Sequence, residues 1–283
     1  MFFSRLSIFT QCERFNKQSR AIIATLMLVF FGVTLAISTA NATEAPAIAA
    51  AANIKFALDK IVSKFEQETG LSVRISYGSS GNFVSQIQHG APFEMMLSAD
   101  EFYIEQLHQA GYTQDAGVIY AIGRLALAAP KQSQMMLDEE LIGLGQFITD
   151  GKLKRFAIAN PEHAPYGERA QEVLKAKGLW DVIQPRLILG ENASQAAQFT
   201  ISGSTQGGIV PLSLVLAPQF MTLANYVVIP DHLYEPLYQR MALMPNASQT
   251  TTHFYQYIQS PQSQQILREF GFNLPNTASE TVN

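Results

Sequence analysis

The chain has 283 residues, 47% of them hydrophobic, with 19 Lys and Arg against 23 Asp and Glu for a net charge of −4. Four of the basic residues and one acidic residue fall within the first 42, so residues 43–283 carry 15 basic and 22 acidic side chains, a net charge of −7. That acidity argues against nucleic acid and anionic membrane surfaces as partners, but not against a small anion held by local backbone donors.

Residues 1–42 read as a secretory signal peptide. Arg5, Arg14, Lys17 and Arg20 form a basic start, Ala21–Ile37 is uncharged and apolar, and Ala40-Asn41-Ala42 puts alanines at the −3 and −1 positions of a cut before Thr43. The alternative is an uncleaved anchor, since the apolar run approaches the length of a spanning helix. The one cysteine, Cys12, lies in this segment, so the mature chain is expected to have no disulfide, as is common for an exported bacterial periplasmic protein.

The remaining 241 residues suffice for one large or two medium domains and alternate strand and helix patterns. Ala45–Ala51 is a buried first strand, and Asn53 stands as N-cap of a helix carrying Ile54, Leu58, Ile61 and Phe65 and ending at Gly70. Leu71, Val73, Ile75 and Tyr77 alternate with polar residues as a strand does, and Gly78-Ser79-Ser80-Gly81 turns into a helix that stops at Gly90. Strands follow at Phe93–Leu97, within Val118–Ala129, and at Phe156–Ala159. A Pro-rich turn, 161–167, leads into a helix that stops at Gly178, and Arg186–Leu189, Gly207–Pro211, Tyr226–Ile229 and Arg240–Met244 are further strands. Two amphipathic helices, Ser248–Gln259 and Ser263–Phe272, close the chain. Such alternation implies an α/β protein with mostly parallel sheets covered on both faces.

Four strand-to-helix junctions carry small or capping residues: Ala52-Asn53, Ser79-Ser80, Tyr166-Gly167 and Asn192-Ala193. Helix starts present unpaired N–H groups and about half a positive charge each, and in open α/β sheets ligands bind beyond the carboxyl ends of strands, where such starts gather. Several together hold a divalent anion without Lys or Arg. The plain alternative is that every α/β protein has such junctions.

Taken in their order and spacing, several stretches resemble the periplasmic molybdate-binding proteins of ABC importers, over essentially all of 43–283. They are Ala50-Ala51-Ala52-Asn53, Gly78-Ser79-Ser80-Gly81, Gly90-Ala91-Pro92-Phe93, Leu97-Ser98-Ala99-Asp100-Glu101, the run from Asn160 to Gly167, and Phe270-Gly271-Phe272. The resemblance implies a two-lobed type II periplasmic binding protein fold, with mixed, mostly parallel sheets flanked by helices and the oxyanion in the interlobe cleft. With the long apolar segments, it places crossings near Gly123–Arg124 and Ile229–Asp231, so that lobe 1 is 43–124 with 231–283 and lobe 2 is 125–230. It implies that Asn53 and Ser80 donate to the anion through side chain and backbone, and Tyr166 and Ala193 through backbone N–H. Tyr166 is the candidate phenolic donor, and Ala52 and Ser79 complete the set.

Two positions depart from the family pattern. Pro211 follows Gly-Ile-Val where some members have a contacting tyrosine, and Ala52 stands where some have threonine. The expected ligand is molybdate or tungstate, with no cofactor. The expected setting is a periplasmic monomer that delivers its ligand to a membrane permease and does not bind nucleic acid. Sulfate, thiosulfate or phosphate is the nearest alternative ligand.

Enzyme signatures are poor. Gly203-Ser204-Thr205-Gln206-Gly207 has Thr where a nucleophile elbow needs Ser, and there is no Walker A sequence. His89, His108, His163, His232 and His253 show no pair at metal-ligand spacing, so no metal cation site is expected, and His163 reads as structuring its turn. A secreted hydrolase using Ser80 and a sensing domain remain the readings from other classes.

Overall fold

The computed structural model describes residues 44–275; the expected signal peptide, 1–42, and its cut before Thr43 lie outside the described residues. In chain order the elements are β1 (Ala47–Ala51), a 3-10 turn (Ala52–Ile54), α1 (Lys55–Thr69), β2 (Arg74–Gly78), α2 (Ser80–Gln88), β3 (Phe93–Leu97), α3 (Glu101–Gln109) and β4 (Val118–Gly123). Then come β5 (Leu125–Pro130), α4 (Ile142–Thr149), β6 (Phe156–Ala159), α5 (Pro165–Ala176), α6 (Trp180–Ile183), β7 (Leu187–Gly190), α7 (Ala193–Ile201), β8 (Gly208–Pro211), α8 (Leu212–Val215), α9 (Pro218–Met221) and β9 (Ala224–Val228). The chain ends through β10 (Leu237–Leu243), α10 (Gln249–Ile258) and α11 (Pro261–Glu269).

Among the described residues, ten strands make two five-stranded sheets, ordered β2-β1-β3-β10-β4 and β7-β6-β8-β5-β9. In the first, β1 runs parallel to β2 and β3, and β10 runs antiparallel to β3 and β4. In the second, β6 runs parallel to β7 and β8, and β5 antiparallel to β8 and β9. Four strands in each sheet therefore share a direction, and one, β10 or β5, opposes them. Each opposing strand follows a passage from the other sheet: only Arg124 separates β4 from β5, and β10 follows β9.

The first sheet is packed on both faces, and the alternation of its side chains shows it. Ile48, Ala50, Met95 and Leu97 pack with Leu58, Ile61 and Phe65 of α1 and with Phe254, Ile258, Ile266 and Leu267 of the last two helices. Ala49 and Met96 point the other way, onto Phe83, Val84, Ile104 and Leu107. The adjacent Met95 and Met96 thus fill two different cores, as successive strand residues must. The second sheet is centred on Leu125–Ala129, Phe156 and Ile158, covered by Ala170, Val173 and Leu174 of α5 and Ala196 and Ala197 of α7.

Some boundaries differ from the sequence pattern. Asn53 is not an N-cap: it lies inside the 3-10 turn, and α1 begins at Lys55 with no side-chain cap. Its side chain has partners in other parts of the chain, described below. The pattern from Leu71 becomes a strand only at Arg74, because its single neighbour β1 begins at Ala47, paired with Arg74. The Pro-rich turn is shorter than its composition suggests, since Pro165 already occupies the first helical turn of α5, where its missing N–H costs nothing. The apolar segment 118–129 is two strands of different sheets, which hydrophobicity alone does not divide.

Candidate functional site

The four small-residue junctions meet. Ser194 Oγ at the start of α7 donates to the Ala52 carbonyl at 2.8 Å. Gly81 N–H in the first turn of α2 donates to the His163 carbonyl at 3.0 Å, and Asn53 Nδ2 lies 3.4 Å from Tyr166 Oη. Asn82 of α2 also bonds the Glu191 carboxylate. Residues 52–53 and 79–82, which follow strands of the first sheet, thereby face 160–166 and 191–194, which follow strands of the second. Gly81 permits this approach, for a Cβ there would sit 3.0 Å from both His163 Cβ and the His163 carbonyl oxygen.

All six sequence-predicted residues lie in this cluster and all are buried: Ala52, Asn53, Ser79, Ser80, Tyr166 and Ala193 are between 0% and 6% exposed. Their donors differ in how far the protein already uses them. At α7, Asn192 Oδ1 accepts from Gln195 N–H at 3.1 Å, the ordinary capping bond, which leaves Ala193 at the first helical position. At α5, the Ala164 carbonyl takes the N–H of Gly167 and of Glu168, and Tyr166 precedes them. Ser80 opens α2, and its Oγ accepts from Ala99 N–H at 3.0 Å, keeping its own proton to give. Ser79, in the N-cap position, makes no side-chain capping bond; its Oγ meets His163 Nδ1 at 3.0 Å instead.

Asn53 is 1% exposed, and its Oδ1 has no hydrogen-bond partner among the described residues, while its Nδ2 reaches Gln239 Oε1 at 3.1 Å. The Tyr166 hydroxyl, expected to reach outward, is engaged by protein groups: Gln239 Nε2 at 2.9 Å and Asn53 Nδ2 at 3.4 Å. Burial, with Tyr234 nearby, raises the pKa of this phenol far above the ordinary range against the lowering effect of those bonds, so its proton is retained. Tyr120 is raised for the same first reason, burial, and its hydroxyl lies 2.9 Å from Gln239 Oε1 and 3.2 Å from the Ser98 carbonyl.

Pattern reading passed over Gln239, Tyr120, Ser194 and Ser213. Ser213 is the more informative of the two serines: two residues past Pro211, its Oγ donates to the Asn53 carbonyl at 2.8 Å, so the segment after β8 takes part through a hydroxyl that the proline does not block. A signal for Gln239 was present in the sequence. It interrupts the alternating apolar positions Leu237, Met241 and Leu243, and is itself 0% exposed.

The buried donors of the cluster are N–H groups, hydroxyls and amides, with the His163 imidazole beside Ser79 and the exposed Glu191 carboxylate at the edge. Of the nearby arginines, Arg169 on α5 is committed to Asp100 at 2.8 Å and Glu172 at 2.7 Å, and Arg124, next to Gly123, has Asp231 at 3.9 Å. Chemically, converging neutral donors in a buried site suit an anion whose oxygens accept. Ser79 and His163 are also close enough to invite a nucleophile reading, but the bonding runs the wrong way. Asn160 Oδ1 accepts from Glu162 N–H at 3.1 Å, which points Asn160 Nδ2 at His163 Nε2, 3.2 Å away. Nε2 is then the acceptor and Nδ1 carries the proton, so the imidazole donates to Ser79 rather than taking its proton.

A family model described as bacterial extracellular solute-binding protein matches residues 47–273. The molybdate-binding protein ModA of Azotobacter vinelandii is 33% identical over 251 residues, covering 88% of this chain and 97% of that protein. The molybdate-binding protein ModA of Rhodobacter capsulatus is 31% identical, covering 88% and 94%. Among solved structures, the periplasmic molybdate-binding protein of Azotobacter vinelandii superposes with a TM-score of 0.74 at 28% identity, over 81% of this chain and 99% of that one. With that superposition, the paired five-stranded sheets are a two-lobed type II periplasmic binding protein fold.

Proposed function

Because the chain belongs to the bacterial extracellular solute-binding proteins, we propose that it is a periplasmic receptor that captures molybdate, and also tungstate, and delivers it unchanged to the membrane permease of an ABC importer. The observation that carries this reading is the buried donor cluster: helix-start amides at Ser80, Tyr166 and Ala193, the Ser80 hydroxyl, and an Asn53 side chain with one polar atom unpaired. Two relatives at over 30% identity, each named for molybdate binding, support the choice of anion. In this reading lobe 1 is 43–124 with 231–283 and lobe 2 is 125–230. The membership of β1–β4 and β10 in one sheet and β5–β9 in the other supports that division. The protein works as a monomer and performs no chemistry; the donor orientation of His163 toward Ser79 speaks against a hydrolase.

Selectivity follows from fixed donors. A smaller tetrahedral anion such as sulfate leaves some buried N–H groups unpaired, each at a cost of about 1–3 kcal/mol. Thermal melting of the protein against molybdate, tungstate, sulfate, thiosulfate and phosphate tests the reading, since a ligand that binds only the folded state raises the midpoint. Molybdate and tungstate are expected to give the large shifts. A larger shift with sulfate or phosphate, or none with any anion, overturns the assignment.

Ser80→Ala is expected to weaken molybdate binding ten- to a hundredfold, the loss of a hydrogen bond to a charged group of about 1.5–3 kcal/mol. It also leaves Ala99 N–H without its acceptor, so the unliganded protein should melt earlier. Calorimetric titration separates the two effects, and an unchanged affinity would remove Ser80 from the site. Binding in the parent protein should depend weakly on salt, because buried charge is poorly screened.

A further inference from the structure

Asn53, Gln239, Tyr120 and Tyr166 form a buried polar knot between the sheets, with Tyr120 on β4, Gln239 on β10 and Tyr166 on α5. In one arrangement of its two amides, Asn53 Nδ2 donates to Gln239 Oε1 at 3.1 Å and to Tyr166 Oη at 3.4 Å, while Gln239 Nε2 donates to Tyr166 Oη at 2.9 Å. The phenol oxygen then receives both amides, and Asn53 Oδ1 is left buried with no partner among the described residues.

The two ends of a carboxamide have the same shape and are told apart by their partners. Half a turn of both amides keeps the separations and pairs the knot differently. Gln239 Nε2 now donates to Asn53 Oδ1 at 3.1 Å and to Tyr120 Oη at 2.9 Å, and Tyr120 passes its own proton to the Ser98 carbonyl at 3.2 Å. Tyr166 donates to Gln239 Oε1 at 2.9 Å. No acceptor is orphaned, each hydroxyl proton has a destination, and the atom now in the unpartnered position is Asn53 Nδ2, a donor.

We propose that Gln239 is the positioning residue that turns Asn53 donor-outward and thereby makes its amide a ligand for an acceptor-only anion. The inference rests on the oxyanion reading above. Gln239 touches Asn53, Tyr120 and Tyr166 and acts through them: its Nε2 holds Asn53 Oδ1 inward, and its Oε1 takes the one proton that Tyr166 can give. Because Gln239 comes from β10 and Tyr166 from α5, the same knot ties the orientation of Asn53 to the approach of the second sheet.

The test is a double-mutant cycle read by calorimetric titration with molybdate, using Asn53→Ala, Gln239→Met and the pair. Asn53→Ala and Gln239→Met should each lower affinity by about tenfold or more. In the Asn53→Ala background, adding Gln239→Met should cost less than about threefold further, since its effect runs through Asn53. Gln239→Glu keeps size and polarity but has no N–H for Asn53 Oδ1, so it draws Asn53 Nδ2 inward and should give the same loss; it carries the test if the Met variant does not fold. Melting of the unliganded variants separates lost stability from lost affinity. Full affinity in the Gln239 variants, or losses that simply add in the pair, overturns the role of Gln239 while leaving the site intact. Unchanged affinity in Asn53→Ala removes Asn53 from the site and the role of Gln239 with it, and no molybdate binding by the parent protein removes the oxyanion reading itself.

Discussion

Ala193→Pro is expected to fold with near-native stability and to bind molybdate about a hundredfold more weakly or worse, the upper end of a hydrogen bond to a charged group. The substitution is mild for the fold for a specific reason. Ala193 is the first residue of α7, the helical position where proline is favoured because its N–H has no partner within the helix. Asn192 before it is extended, with φ −150° and ψ 175°, as a residue preceding proline must be. Its side chain still caps Gln195 N–H. What proline removes is the N–H that the proposed site takes from the start of α7, putting a ring carbon in its place. Calorimetry on the variant, with its melting curve in the absence of ligand, checks both halves. A stable variant with parental affinity would show that the anion does not sit at the start of α7.

Gly123→Ala is expected to lower both stability and affinity, the first by about 1–3 kcal/mol, as overpacking of a close-packed interior does, and the second by more than tenfold. Gly123 ends β4 one residue before the chain passes to the other sheet. A Cβ there would overlap Tyr166 Oη and lie 2.6 Å from Gln239 Nε2. Tyr166 is only 2% exposed, so it has nowhere to move without shifting α5. The displaced amide is the one proposed to position Asn53, and the phenol is its partner, so binding should suffer beyond the loss in stability. Calorimetry alongside chemical denaturation separates the two. A stable Gly123→Ala protein with unaltered molybdate affinity would mean that Tyr166 and Gln239 have slack that the packing does not suggest.

Both substitutions act where residues distant in the chain converge, and this marks what pattern reading reached. The alternation of strands and helices, the buried alanines of β1 and the helix starts at Ser80 and Ala193 follow from local physics. Side-chain period, missing first-turn bonds and glycine stops are all written within a few residues of each other. Ser79 and Asn53 show where local reasoning misleads. Both look like caps, yet Ser79 Oγ meets His163, 84 positions away, and Asn53 faces Gln239, 186 positions away. A short polar side chain at a helix start satisfies a cap or a distant partner equally well, and only the distant chain decides which.

The sequence by itself determined the acidic charge, the α/β alternation and the set of junctions able to offer donors, because each depends on composition or on neighbours along the chain. It also held a trace of Gln239, a polar residue in an apolar strand, without its meaning. The tertiary structure decided that Arg124 alone separates strands of two sheets, that the four junctions converge, and that Gln239 and Tyr166 meet the amide of Asn53. Those outcomes depend on pairings such as Leu237 with Gly123 and Leu125 with Pro211. Pairings over such separations are fixed by burial and close packing of the whole molecule, and no window of sequence contains them.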